Sequence, residues 1–327
     1  FIQPSKTAVA LNRVTGQDPS KILGNLQANG KVFLVNPNGV WFGKNAKVDV
    51  NGLVATTFDI SNANFMSGNY DFNISGKTDA SVINEGSISI AEAGIAAFVA
   101  PAVRNDGVIS AKLGKVTLAS GTGFTLDLYG DELITLKVDP QTMQAFSVDG
   151  DPLYALVDNG GTIEAQTVVM TANAARDVVD SVINMDGVIH ATSFNQDGGK
   201  IIIGGSQTPS VNVTGTLDVS SESGVGGQIE VTGDQITLDD NAKLDATGAT
   251  GGGEVLVGGD WQGSGDSYQA TKVSVTENVS IDASATDNGD GGKVVVWSDI
   301  TKADSVTEVH GSIKAEGGVN GGDGGQI

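Results

Sequence analysis

The feature that most constrains this sequence is a short strand-like segment that recurs about every 27 residues, a spacing typical of repeat architectures. One apolar residue in each copy marks the register, and these residues are Ile109, Ile163, Ile189, Leu217, Leu244, Ile281 and Ile313. The interval from Ile109 to Ile163 is about double the next, and we interpret it as two periods with Leu136 between them. Self-similarity of this kind indicates units that stack on their neighbours.

A second set of Val/Ile-rich segments follows the first at a nearly constant interval. Its copies begin with Gly-Gly and occupy residues 198–205, 226–233, 252–259 and 291–298. Each repeat therefore holds at least two short strands and Gly-rich corners, with no helical periodicity. This pattern predicts an all-β chain folded as a right-handed parallel β-helix with extra-helical hairpins. An antiparallel sandwich would not explain one period that persists over seven register marks.

The composition excludes several function classes. The 327 residues include 46 Gly but no Cys, which removes disulfides, thiolate metal sites and Cys nucleophiles. The formal net charge of −21 argues against nucleic acid as a partner, because phosphates would be repelled. No run approaches the roughly 20 apolar residues of a membrane span, so we expect no stable membrane insertion. We also expect no cofactor and no metal.

Local composition divides the predicted solenoid into three segments. Residues 1–123 form its start, and residues 158–327 continue its coils. Residues 124–157 are richer in Leu, Tyr, Phe and acidic side chains, and we expect them to form extra-helical strands packed on the rod. Residues 261–269 lengthen one repeat by about ten residues, which predicts a loop leaving the rod.

The segment at residues 1–50 differs electrostatically from the rest. It holds six basic and two acidic residues, a local charge of +4 in a chain of −21. The first residues, FIQPS, show no basic and apolar signal-peptide pattern, and the final GGDGGQI stops where earlier copies of that pattern run on into a strand. We therefore expect both ends to be cut from a longer polypeptide.

A long motif carries a resemblance to a known family. It reads VFLVNPNGVWFG at residues 32–43, with supporting segments at 1–5, 11–32, 48–57 and 173–179. Together these resemble the secretion (haemagglutination activity) domain of two-partner-secretion exoproteins, the filamentous-haemagglutinin-like family. The resemblance implies export by Sec and then through an outer-membrane POTRA-barrel transporter, which reads this N-terminal region. It also implies a secreted or bacterial cell-surface protein that acts as an adhesin or as the scaffold of an extracellular filament.

The centre of that motif is Asn36-Pro37-Asn38-Gly39. Pro presets φ at the second turn position, while Asn38 and Gly39 tolerate left-handed geometry, so a structural corner is expected. The resemblance adds a second reading, in which the same residues are presented unfolded to the transporter. Relatives often carry a second Asn-Pro motif some thirty residues on, and this sequence has none there.

An enzyme is the first rival hypothesis, because β-helices also house carbohydrate-active enzymes. Such sites need clustered acids with Arg or Lys, or two carboxylates at a fixed separation. The candidates are Asp239, Asp240 and Asp245 with Arg104 or Arg176. An Arg at a coil corner is more often a salt-bridged surface residue, and we expect no catalytic site.

A second rival is a fibre subunit whose like chains stack end to end. Host cells or glycans remain the other candidate partners.

Calcium is another rival, suggested by acidic Gly-rich loops around Asp290 and Asp323. These aspartates lie a full repeat apart, without the tandem nine-residue period of calcium-binding β-rolls, so plain turns are expected. His190 and His310 are separated by several repeats and are not expected to share a metal. Trp41, Trp261 and Trp297 are scattered, which favours packing over a carbohydrate-stacking surface.

Overall fold

The structure is a computed structural model that describes residues 1–128, 134–137, 147–148, 151–152, 155–172, 182–193, 197–206 and 208–327. The chain forms two compact units. Unit 1 comprises Phe1–Gly161 and Met170–Val182, and unit 2 comprises Thr162–Val169 and Ile183–Ile327. Strands dominate both units.

Unit 1 contains one short helix, α1 (Asn62–Ser67), among the many strands of its described part. Its strands are β1 (Val9–Arg13), β2 (Ser20–Ile22), β3 (Asn25–Gln27), β4 (Lys31–Val35), β5 (Val40–Phe42), β6 (Lys47–Thr56), β7 (Asp59–Ile60), β8 (Tyr70–Ile74), β9 (Ser81–Asn84), β10 (Ser87–Ala100), β11 (Ala102–Asn105), β12 (Val108–Ser120), β13 (Gly123–Leu126), β14 (Ile134–Lys137), β15 (Ser147–Val148), β16 (Asp151–Pro152) and β17 (Val157–Asn159).

Most of these strands pair in parallel with their counterparts in the next coil. One sheet runs in the order β1-β4-β6-β10-β12, with β3 also paired to β6, and a second runs β2-β5-β9-β11-β17. Apolar side chains alternate along the strands, as in Val48 and Val50, which are buried on either side of an exposed residue. Such alternation places one face of each strand in the core of the coil.

A small antiparallel sheet, in the order β14-β13-β8-β7, packs on the coils of unit 1. Aromatic rings hold it there. The rings of Phe72 and Phe124 stack with centroids 4.5 Å apart, and Phe33 on β4 meets the edge of Tyr70 at 5.4 Å. The three Phe rings belong to a buried cluster that includes Val54, and the Tyr70 ring packs against it. Burial of such rings contributes more than their area alone, because edge and offset contacts add about 0.5–1.5 kcal/mol each.

The placement of Leu136 in the register ladder is wrong. Leu136 lies on β14, where it pairs antiparallel with Phe124. Asn105 and Asn159 are far apart in sequence, yet they are direct partners in adjacent strands. The long gap is therefore one coil with an insertion. Antiparallel strands after residue 123 agree with the expected extra-helical hairpins, whereas the boundaries of the three predicted segments stay a prediction.

Unit 2 begins at the first residue of a long strand, β18 (Thr162–Ala172), whose last three residues belong to unit 1. The other strands are β19 (Ile183–Met185), β20 (Val188–Ala191), β21 (Lys200–Gly204), β22 (Ser210–Val213), β23 (Thr216–Asp218), β24 (Gln228–Thr232), β25 (Gln235–Leu238), β26 (Lys243–Asp245), β27 (Glu254–Val257), β28 (Lys272–Val275), β29 (Ser280–Asp282), β30 (Lys293–Val296), β31 (Val306–Val309) and β32 (Ser312–Lys314). A 3-10 turn covers Trp261–Gly263.

Successive coils of unit 2 stack in three parallel series. These are β18-β20-β23-β26-β29-β32, β21-β24-β27-β30 and β19-β22-β25-β28-β31. In the first series the register marks pair directly, in the order Ile163, Ile189, Leu217, Leu244, Ile281 and Ile313. The first five are fully buried. The predicted ladder and the parallel β-helix fold are confirmed.

The insertion at residues 261–269 is a loop, but it returns to the coils. The Ser267 hydroxyl donates to Glu230 Oε1 at 2.9 Å, and Trp297 Nε1 donates to Gln269 Oε1 at 3.1 Å. Glu230 pairs with Leu256, which alternates to the outer face of β27 yet is only 4% exposed. The loop therefore bonds to the outer face of β24, on the row of register partners that includes Leu256.

Candidate functional site

The Asn36-Pro37-Asn38-Gly39 motif forms the corner between β4 and β5. The Gly39 N–H donates to the Asn36 carbonyl oxygen at 3.0 Å, which closes a tight turn with Pro37 at its second position. Gly39 has a φ of +113°, whereas Asn38 stays at negative φ. Of the two residues that tolerate left-handed geometry, only Gly39 adopts it.

The Asn36 side chain is fully buried and joins the corner to an earlier part of the chain. Its Nδ2 donates to the Asp18 carbonyl oxygen and to Ser20 Oγ, both at 3.0 Å. Its Oδ1 accepts from the Asn38 N–H at 2.9 Å. Both ends of the amide are used, and a buried amide that lost these partners would carry a desolvation cost of about 1–3 kcal/mol.

Asn38 and Pro37 extend the same network while remaining half-buried. Asn38 Nδ2 donates to the Gly16 carbonyl oxygen at 3.0 Å, and the Pro37 carbonyl oxygen accepts from the Lys77 N–H at 3.0 Å. The corner thus contacts chain segments on both sides of it. Its geometry is fixed by specific side-chain amides as well as by the main chain.

A small cavity of about 130 Å³ lies beside the corner, lined in part by Asn38 and Trp41. The Lys21 ammonium lies 5.4 Å from the centroid of the Trp41 ring, and Trp41 Nε1 donates to Glu85 Oε2 at 2.9 Å. Cation–π contacts of this kind contribute about 0.5–1 kcal/mol at exposed sites. Trp41 therefore has a packing role on the outer face of the sheet.

The candidate catalytic residues engage their own neighbours and do not converge. Arg104 Nε lies 2.8 Å from Asp106 Oδ2, and although partial burial lowers its pKa, the bond to Asp106 and the nearby carboxylates outweigh that effect and raise the pKa. Asp239 accepts from the Thr276 hydroxyl, and Asp245 pairs with Lys243 at 2.9 Å. Arg176 lies outside the described residues.

The candidate metal ligands also have partners. Asp290 Oδ1 accepts from the Asp323 N–H at 2.8 Å, so the two Asp/Gly loops stack on each other. His190 Nδ1 lies 2.9 Å from Asp218 Oδ2, in a different strand series from His310, whose N–H donates to the Val275 carbonyl oxygen. Among the residues that the structure describes, no three His, Cys, Asp or Glu side chains form a metal-binding group. That the chain needs no metal stays a prediction.

A ladder of three buried asparagines was not anticipated from the sequence. Asn84 Nδ2 donates to Asn105 Oδ1, and Asn105 Nδ2 donates to Asn159 Oδ1, both at 2.7 Å. Each asparagine stands two residues before a glycine, in the series NEG, NDG and NGG. This recurring N-x-G just before an apolar register position is the signal that could have revealed the ladder.

The comparison with known families accounts for this combination of a repeated coil and an Asn-Pro-Asn-Gly corner. The TPS secretion domain model matches residues 1–219. The chain belongs to this family. The match covers the corner, the antiparallel sheet and the first coils of unit 2.

Solved and curated relatives agree with that assignment. The crystal structure of the HMW1 secretion domain from Haemophilus influenzae is similar with a TM-score of 0.82 at 27% identity, covering 100% of this chain and 87% of that one. One heme/hemopexin-binding protein of Haemophilus influenzae is 30% identical over 269 residues, covering 75% of this chain and 27% of its own length. Another heme/hemopexin-binding protein of Haemophilus influenzae is 32% identical over 232 residues, covering 69% of this chain and 24% of its own length. The chain spans about a quarter of the length of these curated relatives.

Membership in the family settles the general class of this secretion domain. It is part of an exoprotein of a two-partner system, secreted to the cell surface or the extracellular space, and the family is not enzymatic. No helix in the described part of the chain is long and apolar enough to cross a membrane.

Proposed function

We propose that an outer-membrane POTRA-barrel transporter reads the Asn36–Gly39 segment of this secretion domain before the chain folds. The carrying observation is that Asn36 is 0% exposed in the folded chain, with both ends of its amide bonded internally. A partner that contacts this side chain must therefore do so while the segment is unfolded. The charge of +4 in residues 1–50 also distinguishes this segment from the acidic remainder.

Folding would then remove the recognition element from the transporter. The bonds from Asn36 to Asp18 and Ser20 form only when residues 16–20 pack beside the corner. The transporter and the folded corner compete for the same amide groups. Stable folding outside the cell would favour release, because a group that is bound by the folded state is no longer available to a partner of the unfolded state.

We further propose that the folded coils act as the scaffold of an adhesin at the bacterial surface. This part is supported by the stacked architecture and by secretion to the cell surface or the extracellular space. An end-to-end filament is the alternative, which concentration-dependent fibres in electron micrographs would favour. The relatives are named for binding heme and hemopexin, but the aligned region covers only a quarter of their length, and we assign no heme site here.

The export hypothesis is tested by comparing secretion of the precursor with stability of the purified chain. Asn38→Ala removes a half-buried amide, so we expect at least a tenfold loss of secretion with a stability loss of about 1 kcal/mol or less. Ser20→Ala is the matched control, because it removes a partner of Asn36 without changing the motif. We expect Ser20→Ala to weaken the folded corner by a similar amount and to leave secretion within twofold.

Asn36→Ala should reduce both secretion and stability, since its amide is buried. The comparison between Asn38→Ala and Ser20→Ala therefore decides the question. If secretion follows the melting temperature in all three variants, the motif is a structural corner only, and the transporter reads some other part of the chain.

A further inference from the structure

A row of Gly-Gly corners in unit 2 has no part in the proposed export function. The doublets stand immediately before β21, β24, β27 and β30, at residues 198–199, 226–227, 252–253 and 291–292. A Cβ on Gly227 would overlap the carbonyl oxygen of Gly199, and a Cβ on Gly253 would overlap that of Gly227. Side chains are therefore excluded from this line of corners, which leaves bare main chain at the surface.

These corners form the floor of an open groove of about 780 Å³ that crosses successive coils. On one side stand Lys200, Gln228, Glu254 and Lys293, which are register partners in consecutive strands. Val225 and Asp290 line the groove from the facing loops. Neighbouring coils are about 4.8 Å apart, so the groove presents one polar wall side chain at each such interval along its length.

The floor has few main-chain donors to offer. The N–H groups of Gly227 and Gly253 donate to the carbonyl oxygens of Val219 and Ala246, both at 2.8 Å, and the Gly292 N–H donates to Ala283 at 2.7 Å. A peptide that entered as an added β-strand would need free main-chain partners at this line. Recognition must instead come from the wall side chains and from contact with the flat floor.

The wall carries both charges and amide groups. Glu254 accepts from Gln228 Nε2 at 2.7 Å and pairs with the Lys293 ammonium at 2.6 Å, and Lys293 also contacts Asp260 at 2.8 Å. Within the part of the chain that the structure describes, the Lys200 ammonium has no ion-pair partner. The wall and the facing loops of the groove thus combine ammonium and carboxylate groups. The net charge of −21 on the chain disfavours polyanions as ligands of the groove.

We propose that this groove binds a linear glycan that is neutral or N-acetylated. Hydroxyl and acetamido groups can bond the Gln228 amide, the Glu254 carboxylate and the Lys200 ammonium, while the flat faces of the sugar rings lie on the glycine floor. A linear polymer suits a wall that presents one polar side chain at each coil. This inference deepens the adhesive part of the proposed function and rests on it, whereas export does not depend on the groove.

The test uses a pair of exposed valines in unit 2. Val225 lines the groove and is 43% exposed, and Val188 lies on β20 away from it and is 41% exposed. Val225→Trp fills the groove with a ring, and Val188→Trp places the same ring elsewhere. Titration calorimetry of the full chain would use hexamers of N-acetylglucosamine and of glucose, a heparin hexasaccharide and a 12-residue Gly/Ser/Thr peptide.

We expect at least one uncharged hexamer to bind the unaltered chain. Val225→Trp should weaken that binding at least tenfold, Val188→Trp should change it less than twofold, and both variants should melt within 2 °C of the parent. Absence of binding by both uncharged hexamers at 10 mM overturns the proposal, as does equal weakening by both substitutions. Binding by heparin or peptide alone overturns it as well and identifies a different occupant.

Two further readouts separate this proposal from the proposed function. Secretion of the Val225→Trp precursor should be normal, since the groove lies outside the export motif. If bacteria that display the parent chain adhere to host cells but the purified chain binds no glycan, adhesion stands and the glycan groove is rejected. If neither adhesion nor glycan binding is found, both the adhesive role and the groove are rejected while export is judged on its own test.

Discussion

Unit 1 and unit 2 build their corners from different chemistry. In unit 1, asparagine side chains bridge neighbouring coils, as Asn36 does at the first corner and Asn84 and Asn105 do in the buried ladder. In unit 2, the Gly-Gly corners have no side chains, and main-chain groups of consecutive coils contact each other directly.

The two kinds of corner differ in which substitutions they tolerate and in which chemical groups they offer to a partner. An asparagine corner depends on two or three hydrogen bonds, so replacing Asn by a smaller side chain costs those bonds without forcing the main chain apart. A glycine corner depends on excluded volume, so any Cβ forces the main chain apart. Asparagine amides are also chemical groups that a partner can read in an unfolded chain, whereas glycine corners acquire a recognisable shape only after folding.

The largest expected effect follows from the glycine corners. Gly253→Ala would place a Cβ against the Gly227 carbonyl oxygen, and we expect a stability loss of about 3 kcal/mol because main chain cannot move aside as a side chain can. Gly251→Ala is the matched control, since its nearest neighbours are Val225 side-chain atoms at 3.6 Å, an ordinary contact. Urea denaturation of both variants measures the difference. Equal losses would show that the doublets are not set by close approach.

A smaller loss is expected from the asparagine ladder of unit 1. Asn105→Ala removes the donor to Asn159 Oδ1 and leaves Asn84 Nδ2 with only the long bond to the Gly86 carbonyl oxygen at 3.4 Å, which should cost about 2 kcal/mol. The comparison is Asn212→Ala in unit 2, where a half-buried amide donates to Asn184 at 3.1 Å and water can replace it. That variant should lose less than about 1 kcal/mol. Thermal denaturation of both variants measures the two losses. A larger stability loss for Asn212→Ala than for Asn105→Ala would contradict the distinction.

A gain is expected where unit 1 uses a non-glycine residue at positive φ. Ala93 is exposed and has a φ of +58°, so Ala93→Gly should stabilise the chain by about 0.5–1 kcal/mol by relieving strain. Ala91→Gly, two residues earlier at negative φ, should instead destabilise it by roughly 0.5–1 kcal/mol because of the added backbone entropy. Opposite signs in the two melting curves would support the strained corner, and the same sign would reject it.

The smallest effect concerns pH and the Asp245–Lys243 pair in unit 2. Burial alone would raise the Asp245 pKa, but bonds from Lys243 and Thr247 outweigh it and hold the pKa below its usual 3.8. A depressed pKa contributes stability that is present above 3.8 and is lost as pH falls through the folded value. Because Lys243 is exposed, Asp245→Asn should cost only about 0.5 kcal/mol at pH 7.

That cost should shrink as the pH is lowered below the ordinary pKa of an aspartate. Melting temperatures of the parent and of Asp245→Asn, measured from pH 7 to pH 2.5, test it. A constant difference between the two curves across this range would show that the carboxylate charge does not matter. Arg104 offers a contrast in unit 1, since its raised pKa keeps it charged throughout the range.

Several features of the site were accessible from the sequence, and others were not. The Asn36–Gly39 turn was predicted from the Pro and Gly positions, but its bonds to Asp18 and Ser20 were not, because they join segments 16–18 residues apart. The loop at 261–269 was found as extra length in one repeat, while its return to the coils depends on the bond from Ser267 to Glu230 on the preceding coil.

The sequence by itself determined the coil, its register and its core. Stacking places the same apolar position of each repeat in one ladder, so a regular spacing of Ile and Leu is enough to predict which residues face inward. Only the tertiary structure decided where that regularity is interrupted and what the corners do. A gap of double length can be two coils or one coil with an insertion, and only the pairing of Asn105 with Asn159 distinguishes them. Likewise a Gly-Gly pair can be a flexible turn or a point of close contact, and only the neighbouring coil shows which atoms leave no space for a side chain.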